Sequence, residues 1–374
     1  MKILFTGGGT GGHFYPIIAI VQAIHEIVET EKLVGIELYY MADDPYDKRV
    51  LFENDLIYKE VLAGKIRRYF SLKNIIDIFK TVFGALSAIW KMYFIYPDVV
   101  FGKGGYSSFP ALLAARILRI PVIIHESDSR PGRVNLWASK FAEKIAISYS
   151  DASSYFPKGK VALTGNPLRK EILSPITRGA HEFLELERNI PIIFVTGGSQ
   201  GAQNINDIFL DILPTLVQKY QVIHQTGKNN FIETQRRAVF LLEGSEFKAR
   251  YKPFGYLNET ALRMIGGVAN LAITRAGSTV FELAAWGLPS IVIPIPEEIS
   301  HDQHSNAFAY ARSGAAIVIE EKNLSGTILL SEINRLFDSP AILDQMKEKA
   351  LAFAQKDAAY KIAKELLSIG LSHE

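Results

Sequence analysis

The stretch KILFTGGGTGGHFYPIIAIV (residues 2–21) decides the fold. The apolar run Lys2–Thr6 predicts a buried strand, the glycines of 7–12 predict a turn, and apolar residues recur at helical spacing over Tyr15–Val28. A glycine turn that feeds a helix presents unpaired backbone N–H groups and the positive end of the helix dipole. Such a loop suits a diphosphate or a developing anion.

The same order of elements returns later in the chain. Ile190–Thr196 predicts a strand, residues 197–201 a glycine turn, and Ala202–Leu213 a helix. A second pair of segments, residues 98–125 and 271–294, also shares the order strand, small-residue turn, helix, X-Pro and strand. The economical interpretation is an α/β protein of two Rossmann-like, doubly wound parallel-sheet domains that face a cleft.

Turn-forming residues between Leu163 and Asn189 predict the join between the domains. We expect an N-terminal domain over 1–164 and a C-terminal, nucleotide-binding domain over 165–340. Residues 341–374 predict a charged C-terminal helix. Whether this helix packs back on the N-terminal domain is left open by the sequence.

Composition excludes several classes of protein. The 374 residues include no cysteine, which removes disulfide scaffolds and thiolate chemistry. A formal net charge of +2 predicts no nucleic-acid partner. The first apolar run is too short for a signal peptide, and Thr81–Trp90 is about half of the ~20 apolar residues that a membrane span needs. The sequence therefore predicts neither export nor a spanning helix.

Charge is nevertheless uneven along the chain, because six basic residues and one acid, Asp77, alternate with apolar and aromatic residues between Lys65 and Pro97. The basic residues are Lys65, Arg67, Arg68, Lys73, Lys80 and Lys91. One interpretation is a face that rests on anionic lipid, and the other is an ordinary core helix with a solvated basic edge. The sequence leaves both open.

Gly7-x-Gly9-x-x-Gly12 formally matches the dinucleotide fingerprint. The acidic residue expected about 20 positions on is missing, since the nearest candidates are Asp43 and Asp44. The phosphate-loop pattern fails as well, because His13 and Phe14 stand where Lys and Ser or Thr are required. An NAD enzyme and an ATPase are therefore secondary alternatives.

A larger set of motifs, in order over nearly the whole chain, resembles the peptidoglycan N-acetylglucosaminyltransferases of glycosyltransferase family 28. These motifs are GGGTGGH (7–13) with Pro16 and Ala19, GGY (104–106), His125-Glu126, GNP (165–167) with Arg169, GGSQGA (197–202), Arg275-Ala276-Gly277 with Glu282, and Gln303 with Asn306-Ala307. The resemblance implies a GT-B fold and inverting transfer of GlcNAc from UDP-GlcNAc to the MurNAc 4-hydroxyl of undecaprenyl-pyrophosphoryl-MurNAc-pentapeptide (lipid I), which gives lipid II. It also implies a peripheral enzyme at the cytoplasmic face of the plasma membrane that serves cell-wall synthesis, cell shape and division, with other cell-wall proteins as candidate partners.

The resemblance also implies roles for individual residues. The catalytic and acceptor-side candidates are His13, Glu126, His125 and Tyr106. The donor-binding candidates are Thr10, Gly11, Gly12, Asp128, Arg169, Ser199, Gln200, Leu257 (or Tyr256 beside it), Ser278, Thr279, Glu282 and Gln303. His13 is the first candidate for the base, because it adjoins the glycine loop and histidine titrates near neutral pH. It is alternatively a cap of its own helix. Glu126 and His125 are candidates to orient His13, to act as base themselves or to bind acceptor.

No Asp-x-Asp pair is present, and Glu126-x-Asp128 is the nearest imitation. We therefore predict transfer without a metal or other cofactor, in which helix dipoles and Arg169 stabilise the leaving group.

Two departures from the family pattern affect the predicted site. The family usually reads His-Glu-Gln-Asn where this chain has His125-Glu126-Ser127-Asp128, and the segment 275–279 is one residue shorter. A related transferase that uses another lipid acceptor, such as a diacylglycerol, is one alternative. A nucleotide-sugar-binding protein without turnover is another.

Overall fold

The computed structural model describes residues 1–65, 73–198, 201–298 and 301–372. The chain divides into two compact units, which we call unit 1 (Met1–Lys170 with Gln355–Glu374) and unit 2 (Glu171–Ala354). Each unit contains a parallel sheet with flanking helices, so the predicted fold class is confirmed.

Unit 1 contains a seven-stranded parallel sheet in the order β3-β2-β1-β4-β5-β6-β7. The strands are β1 (Lys2–Thr6), β2 (Glu37–Ala42), β3 (Leu56–Glu60), β4 (Val99–Gly102), β5 (Val122–Glu126), β6 (Lys144–Ile147) and β7 (Val161–Leu163). The helices are α1 (Gly11–Glu31), α2 (Lys48–Glu53), α3 (Lys73–Ile95), α4 (Phe109–Leu118), α5 (Arg133–Ala138) and, from the end of the chain, α14 (Ala358–Ser372). Strand order reverses between β1 and β4, and ligands of doubly wound sheets bind at such a point.

Unit 2 contains a six-stranded parallel sheet in the order β10-β9-β8-β11-β12-β13, with its reversal between β8 and β11. The strands are β8 (Ile192–Thr196), β9 (Gln221–Gln225), β10 (Tyr251–Phe254), β11 (Leu271–Thr274), β12 (Ser290–Val292) and β13 (Ala316–Val318). The helices are α6 (Ala180–Phe183), α7 (Gln203–Lys219), α8 (Phe231–Leu241), α9 (Glu259–Val268), α10 (Thr279–Ala285), α11 (His301–Arg312), α12 (Gly326–Phe337) and α13 (Pro340–Phe353).

The division between the units differs from the predicted boundary at 164/165, because residues 165–170 pack on unit 1. The Lys170 backbone N–H donates to Gln22 Oε1 at 3.3 Å, and the Lys170 ammonium lies 3.6 Å from Glu26. The Arg169 guanidinium lies over the Tyr15 ring, 4.3 Å from its centroid. All three partners lie on α1, so this helix fixes the segment.

The C-terminal segment is divided between the units rather than acting as one piece. Helix α13 belongs to unit 2, where the Phe353 ring stacks on Phe281 at a centroid distance of 5.7 Å. Helix α14 packs against α1, and Ile362 and Leu366 are buried in the same core as Ile24. The predicted boundary at 340/341 is thus corrected to one between α13 and α14.

Helix α3 carries apolar side chains on both of its faces. Ala88 and Met92 are buried in the core that α3 shares with α4, and Ala85 is buried as well. The opposite face exposes large apolar side chains, among them Phe83 (62%), Trp90 (68%) and Phe94 (65%). A contiguous exposed apolar face of this kind marks an interaction surface.

By length and composition, one helix in the described part of the chain could cross a membrane. It is the stretch Ile76–Ile95 of α3, with a mean hydropathy of 1.3 and 28% of its window buried within the protein. The sequence-based expectation of no spanning segment did not anticipate this stretch, because it considered only the charge-free residues between Lys80 and Lys91.

The glycine loop after β8 leaves no room for a side chain at Gly201. Gly201 has φ +80°, and a Cβ there would lie 2.1 Å from the Thr226 carbonyl oxygen. Gly244 has a similar φ of +75°, but its Cβ would meet nothing within 4 Å. A comparison of substitutions at the two positions therefore distinguishes the effect of backbone strain from that of steric conflict.

We predict that Gly201→Ala lowers the free energy of unfolding by at least about 2 kcal/mol more than Gly244→Ala, because only Gly201→Ala adds overpacking to the strain. Urea unfolding monitored by circular dichroism measures both variants. Equal losses for the two alanines would contradict the packing described for the loop.

Candidate active site

In unit 1, the loops that follow β1 and β4 meet at the strand reversal. The Lys103 N–H donates to the Thr6 carbonyl at 2.8 Å. A Cβ on Gly7 would lie 2.8 Å from Lys103 Cβ, and one on Gly105 would lie 3.2 Å from the Gly8 carbonyl oxygen. The glycines therefore allow two backbone segments to lie in contact at the point where a doubly wound sheet binds its ligand.

His13 lies in the first turn of α1, beside this contact. Thr10 precedes the helix and makes no side-chain capping bond, and its Oγ1 lies 3.2 Å from His13 Nδ1. Desolvation by the surrounding protein and the positive charge of Lys103 lower the pKa of His13 to about 4, against a smaller opposing effect of a hydrogen bond with the Gly8 backbone. At neutral pH the imidazole is uncharged, so one ring nitrogen can accept a proton.

Gly11 and Gly12 are the first residues of the 21-residue helix α1. Their N–H groups lie at its N-terminus, where the helix dipole favours a negative charge. Tyr106 covers the same loop, because a Cβ on Gly9 would lie 3.3 Å from Tyr106 Cε1. Burial and a hydrogen bond with Asp43 raise the pKa of Tyr106, so its hydroxyl stays protonated.

Glu126 ends β5 and holds the loop that follows it. Its carboxylate accepts hydrogen bonds from the Asp128 N–H at 2.9 Å, the Gly132 N–H at 3.0 Å and Asn135 Nδ2 at 2.9 Å. Burial and the charge of Asp128 raise the pKa of Glu126 to about 7. Both carboxylate oxygens are thus engaged by the chain, which places Glu126 as a support for the position of Asp128.

His125 is fully buried and faces the turn between β7 and Arg169. Its Nε2 lies 3.0 Å from the Gly165 carbonyl and 3.3 Å from Ser148 Oγ, while Nδ1 has no hydrogen-bond partner in the described ranges. Burial and the Lys103 charge hold the pKa of His125 well below its ordinary value. The geometry gives His125 a part in fixing residues 165–169.

Lys103 is a candidate that sequence reasoning missed, although its place in the loop Gly102-Lys103-Gly104-Gly105 was a usable signal. The side chain is 1% exposed, and Nζ has no hydrogen-bond partner among the residues described. Burial lowers its pKa to about 8, although the nearby carboxylates of Glu126 and Asp128 favour the charged form. A cation is therefore buried beside Asp128, the acid that stands where the family pattern has an amide.

Arg169 was predicted as part of the C-terminal domain, and the structure corrects this assignment. It belongs to unit 1, where its guanidinium stacks on Tyr15, two residues after His13. The position follows from the packing of residues 165–170 on α1.

In unit 2, the loop between β8 and α7 lies at the second strand reversal. The Gly198 N–H donates to Thr196 Oγ1 at 3.1 Å, and the Gly201 N–H donates to the Gly198 carbonyl at 3.1 Å. The predicted contacts Ser199 and Gln200 lie outside the described residues. Both flanks of the loop are nevertheless fixed, and α7 starts directly after it.

The remaining donor candidates follow other strands of unit 2. Leu257 is buried, and its N–H donates to Gln225 Oε1 at 3.1 Å. Ser278, Thr279 and Glu282 lie at the start of α10, after β11. Gln303 lies on α11, and its Oε1 is buried without a hydrogen-bond partner in the described part of the chain.

Arg275 fixes the loop that leads from β11 to α10. Its Nη1 donates to the carbonyls of Ile293 and Pro294, each at 3.1 Å, and it forms an ion pair with Glu321. These contacts within unit 2 hold the loop between β11 and α10 in its position. Among the described residues, no group of three or more His, Asp or Glu is arranged to hold a metal ion.

Comparisons with known proteins agree with the fold. The model of the glycosyltransferase family 28 N-terminal domain matches residues 3–147, and that of the family 28 C-terminal domain matches residues 192–366. Two doubly wound units with these matches define a GT-B glycosyltransferase.

Relatives and solved structures show which family of GT-B glycosyltransferases the chain resembles. A protein of Bacillus thuringiensis (strain Al Hakam), named UDP-N-acetylglucosamine–N-acetylmuramyl-(pentapeptide) pyrophosphoryl-undecaprenol N-acetylglucosamine transferase 3, is 35% identical over 90% of this chain and 91% of its own length. The transferase of that name from Treponema denticola is 34% identical over 98% of this chain and 97% of its own length. The crystal structure of Acinetobacter baumannii MurG has a TM-score of 0.73 at 25% identity and covers 98% of this chain and 99% of its own. The chain belongs to the MurG family of family 28 transferases.

A UDP-GlcNAc 2-epimerase from Neisseria meningitidis, solved with UDP-GlcNAc bound, also matches, with a TM-score of 0.68 at 16% identity over 98% of this chain and the whole of its own. At that identity the likeness shows the fold alone. The fold thus occurs in both transferases and epimerases, and the relatives at 34–35% identity decide between them.

The raised pKa of Glu126 generates a prediction for stability. The folded-state pKa of about 7 lies above the ordinary value of 4.5, so folding favours the protonated carboxyl. Stabilisation linked to this proton is fully present below pH 4.5 and is lost as the pH rises through 7. Glu126→Gln has no carboxyl to titrate at this position. The difference between its free energy of unfolding and that of wild type should therefore increase as the pH rises from 5 to 8.

Urea unfolding at intervals across this pH range measures the difference. Glu143→Gln, which changes an exposed carboxyl of the same unit, is the control and should follow the wild type at every pH. A Glu126→Gln curve that also runs parallel to wild type would contradict the burial of a titrating carboxyl.

Proposed function

We propose that the chain transfers GlcNAc from UDP-GlcNAc to the MurNAc 4-hydroxyl of undecaprenyl-pyrophosphoryl-MurNAc-pentapeptide, with inversion, and so makes lipid II. The observation that carries this function is the 34–35% identity, over 90% of the chain or more, to transferases whose names state this donor and acceptor. The acceptor oxygen attacks the anomeric carbon, the bond from that carbon to UDP breaks, UDP leaves with the electron pair, and a base takes the hydroxyl proton. Incubation with radiolabelled UDP-GlcNAc and a short-chain lipid I analogue tests the reaction by the appearance of a lipid-linked disaccharide.

His13 is the base in this proposal. Its low pKa keeps it uncharged, Thr10 lies against one ring nitrogen, and the start of α1 favours negative charge nearby. Glu126 is a weaker candidate, because its oxygens already accept bonds from the Gly132 N–H and from Asn135. Glu126 therefore positions Asp128, and Asp128 and Tyr106 contact substrate.

Unit 2 binds the donor in this proposal. The backbone amides of residues 198–201 and the N-terminus of α7 bind the diphosphate. Glu282 accepts hydrogen bonds from the ribose hydroxyls, the segment at Leu257 contacts the uracil, and the buried Oε1 of Gln303 accepts a bond from a sugar hydroxyl. Arg169 is proposed to neutralise charge on the leaving group.

The two candidate bases predict different pH profiles. A base with a pKa of about 4 is deprotonated over the working range, so kcat should stay constant from pH 8 down to about pH 5 and fall below it. If Glu126 were the base, its pKa of about 7 would make kcat fall tenfold per pH unit below pH 7. Initial rates at saturating concentrations of both substrates, measured from about pH 4.5 to about pH 9, distinguish the two candidate bases.

Substitution provides a second measurement of the same assignment. His13→Ala should lower kcat by about 100-fold or more, while the dissociation constant for UDP stays within about twofold of wild type. His25→Ala is the control, since His25 lies on the same helix and its Nε2 contacts the Asn54 carbonyl at 3.0 Å. An unchanged kcat in His13→Ala would remove His13 from the mechanism.

We further propose that the exposed apolar face of α3 rests on the cytoplasmic face of the plasma membrane. The acceptor is attached to a lipid, and this face offers Phe83, Trp90 and Phe94 to a bilayer surface. Lys65 and Lys80 are exposed on this segment of unit 1, where they favour anionic lipid. Of the other predicted basic residues, Lys91 bonds the Glu60 carbonyl, while Arg67, Arg68 and the Lys73 side chain lie outside what the structure describes.

The buried inner face of α3 favours a helix that lies on the membrane over one that spans it. Ala88 and Met92 pack in the core of unit 1, and this packing would be lost if the helix entered a bilayer. Lipid contact through the outer face alone is therefore peripheral.

We predict that replacing Phe83, Trp90 and Phe94 together by Ser lowers binding to vesicles that contain phosphatidylglycerol by about tenfold or more, because apolar area no longer enters the interface. Flotation of the protein with such vesicles measures this. Ser replacements of Ile232, Val239 and Phe240, three exposed apolar residues of α8, are the matched control and should leave binding unchanged. Equal losses in both triple variants would contradict a specific role for α3.

A further inference from the structure

Gln225, the last residue of β9, forms hydrogen bonds with two separate loops of unit 2. Its Nε2 donates to Thr196 Oγ1 at 3.3 Å and to the Gly198 carbonyl at 3.2 Å. Its Oε1 accepts from the Leu257 N–H at 3.1 Å. The nitrogen faces two oxygens and the oxygen faces an N–H, so the contacts define the orientation of the amide.

The first loop is the glycine turn between β8 and α7. The Gly198 carbonyl accepts hydrogen bonds from both Gln225 Nε2 and the Gly201 N–H, the latter at 3.1 Å. Gln225 therefore binds the same oxygen that links the two described flanks of the turn. The second loop lies between β10 and α9, where Leu257 is buried and the preceding Tyr256 is exposed. One side chain therefore ties both segments to the end of the same strand.

Neighbouring residues hold this strand end in place. His224 contacts Tyr251 OH at 2.9 Å through Nδ1 and Asn206 Oδ1 at 3.0 Å through Nε2. Asn206, on α7, also donates to the Thr226 carbonyl at 3.0 Å. Burial lowers the pKa of His224 to about 3, so the network stays uncharged at neutral pH. Gln225 is thus fixed on both sides along the strand.

We propose that Gln225 is a positioning residue that couples the diphosphate loop to the uracil loop, so that the two ends of UDP bind cooperatively. The inference rests on the proposed function of unit 2 as the UDP-GlcNAc site. Because one amide bonds both loops, a ligand that holds one loop in its bound position also favours the bound position of the other.

The variant Gln225→Leu keeps most of the side-chain volume and removes all three bonds. We expect its dissociation constant for UDP, measured by calorimetry, to rise about tenfold or more, and KM for UDP-GlcNAc to rise while kcat changes less. Coupling itself is measured as the affinity for pyrophosphate with and without saturating uridine. Uridine should strengthen pyrophosphate binding in wild type and have little effect in Gln225→Leu.

Gln221, at the other end of β9, provides a matched control. It is also buried, its Oε1 accepts from the Glu187 N–H at 2.7 Å, and its Nε2 donates to the carbonyls of Glu187 and Ile190 at 2.8 and 3.1 Å. Gln221→Leu should therefore lower the melting temperature about as much as Gln225→Leu and leave UDP binding unchanged.

If Gln225→Leu does not fold, Gln225→Glu decides the question. The carboxylate still accepts the Leu257 N–H but has no donor for Gly198, so UDP should lose more affinity than uridine does. If wild type binds UDP and the Gln225 variants bind it equally well, the inference is overturned and the proposed function stays intact. The same holds if Gln221→Leu loses as much UDP affinity as Gln225→Leu. A wild type that does not bind UDP would overturn both.

Discussion

Both candidate sites depend on backbone segments that approach so closely that a side chain would not fit between them. In unit 1 the chain at Gly7 lies against Lys103, and in unit 2 the chain at Gly201 lies against the Thr226 carbonyl. Each contact holds a loop at the carboxyl end of a central strand, where strand order reverses. The loops can present backbone N–H groups to an anion because packing on the sheet already fixes their conformation.

The electrostatics of unit 1 follow from burial around the same contact. Burial opposes the charged form of Lys103, Glu126 and His125 alike, but the charges of Lys103 and Glu126 partly compensate each other. His13 lies nearby, and desolvation and the charge of Lys103 act in the same direction on its pKa. The arrangement produces an imidazole that is uncharged at neutral pH, because burial and the charge of Lys103 both oppose its protonation.

Periodicity and glycine turns were sufficient to predict central strands such as β1 and β8, because central parallel strands are short, apolar and bounded by turns. Lys2–Thr6 was predicted at its observed bounds, and the predicted strand Ile190–Thr196 contains β8, which begins at Ile192. The helix after β8 was predicted to end at Leu213, before Pro214, yet α7 continues to Lys219 because Leu216 and Val217 are buried in the core. Tertiary packing thus outweighed the local cost of the proline.

The candidate site was predictable only where residue type and motif carried the signal. His13, Glu126 and Glu282 stand in recognisable motifs, whereas Lys103 and Gln225 act through neighbours that are distant in sequence. The bond from Gln225 to Leu257 joins residues 32 positions apart, and no local pattern marks it. The unit to which Arg169 belongs was missed for a similar reason, since its contact with Tyr15 arises from packing.

The distribution of polar and apolar surface between the units has a chemical basis in the proposed substrates. The proposed donor, UDP-GlcNAc, is soluble and charged, and its proposed contacts in unit 2 are backbone amides, Glu282 and Gln303. The proposed acceptor is attached to a lipid, and unit 1 carries the apolar face of α3 as well as His13. Small residues such as Ala85 and Ala88 face inward on α3, so the helix can pack closely on α4 while its large side chains point outward. A helix that served only the core would have the opposite arrangement, because burial of large apolar side chains is what stabilises a core.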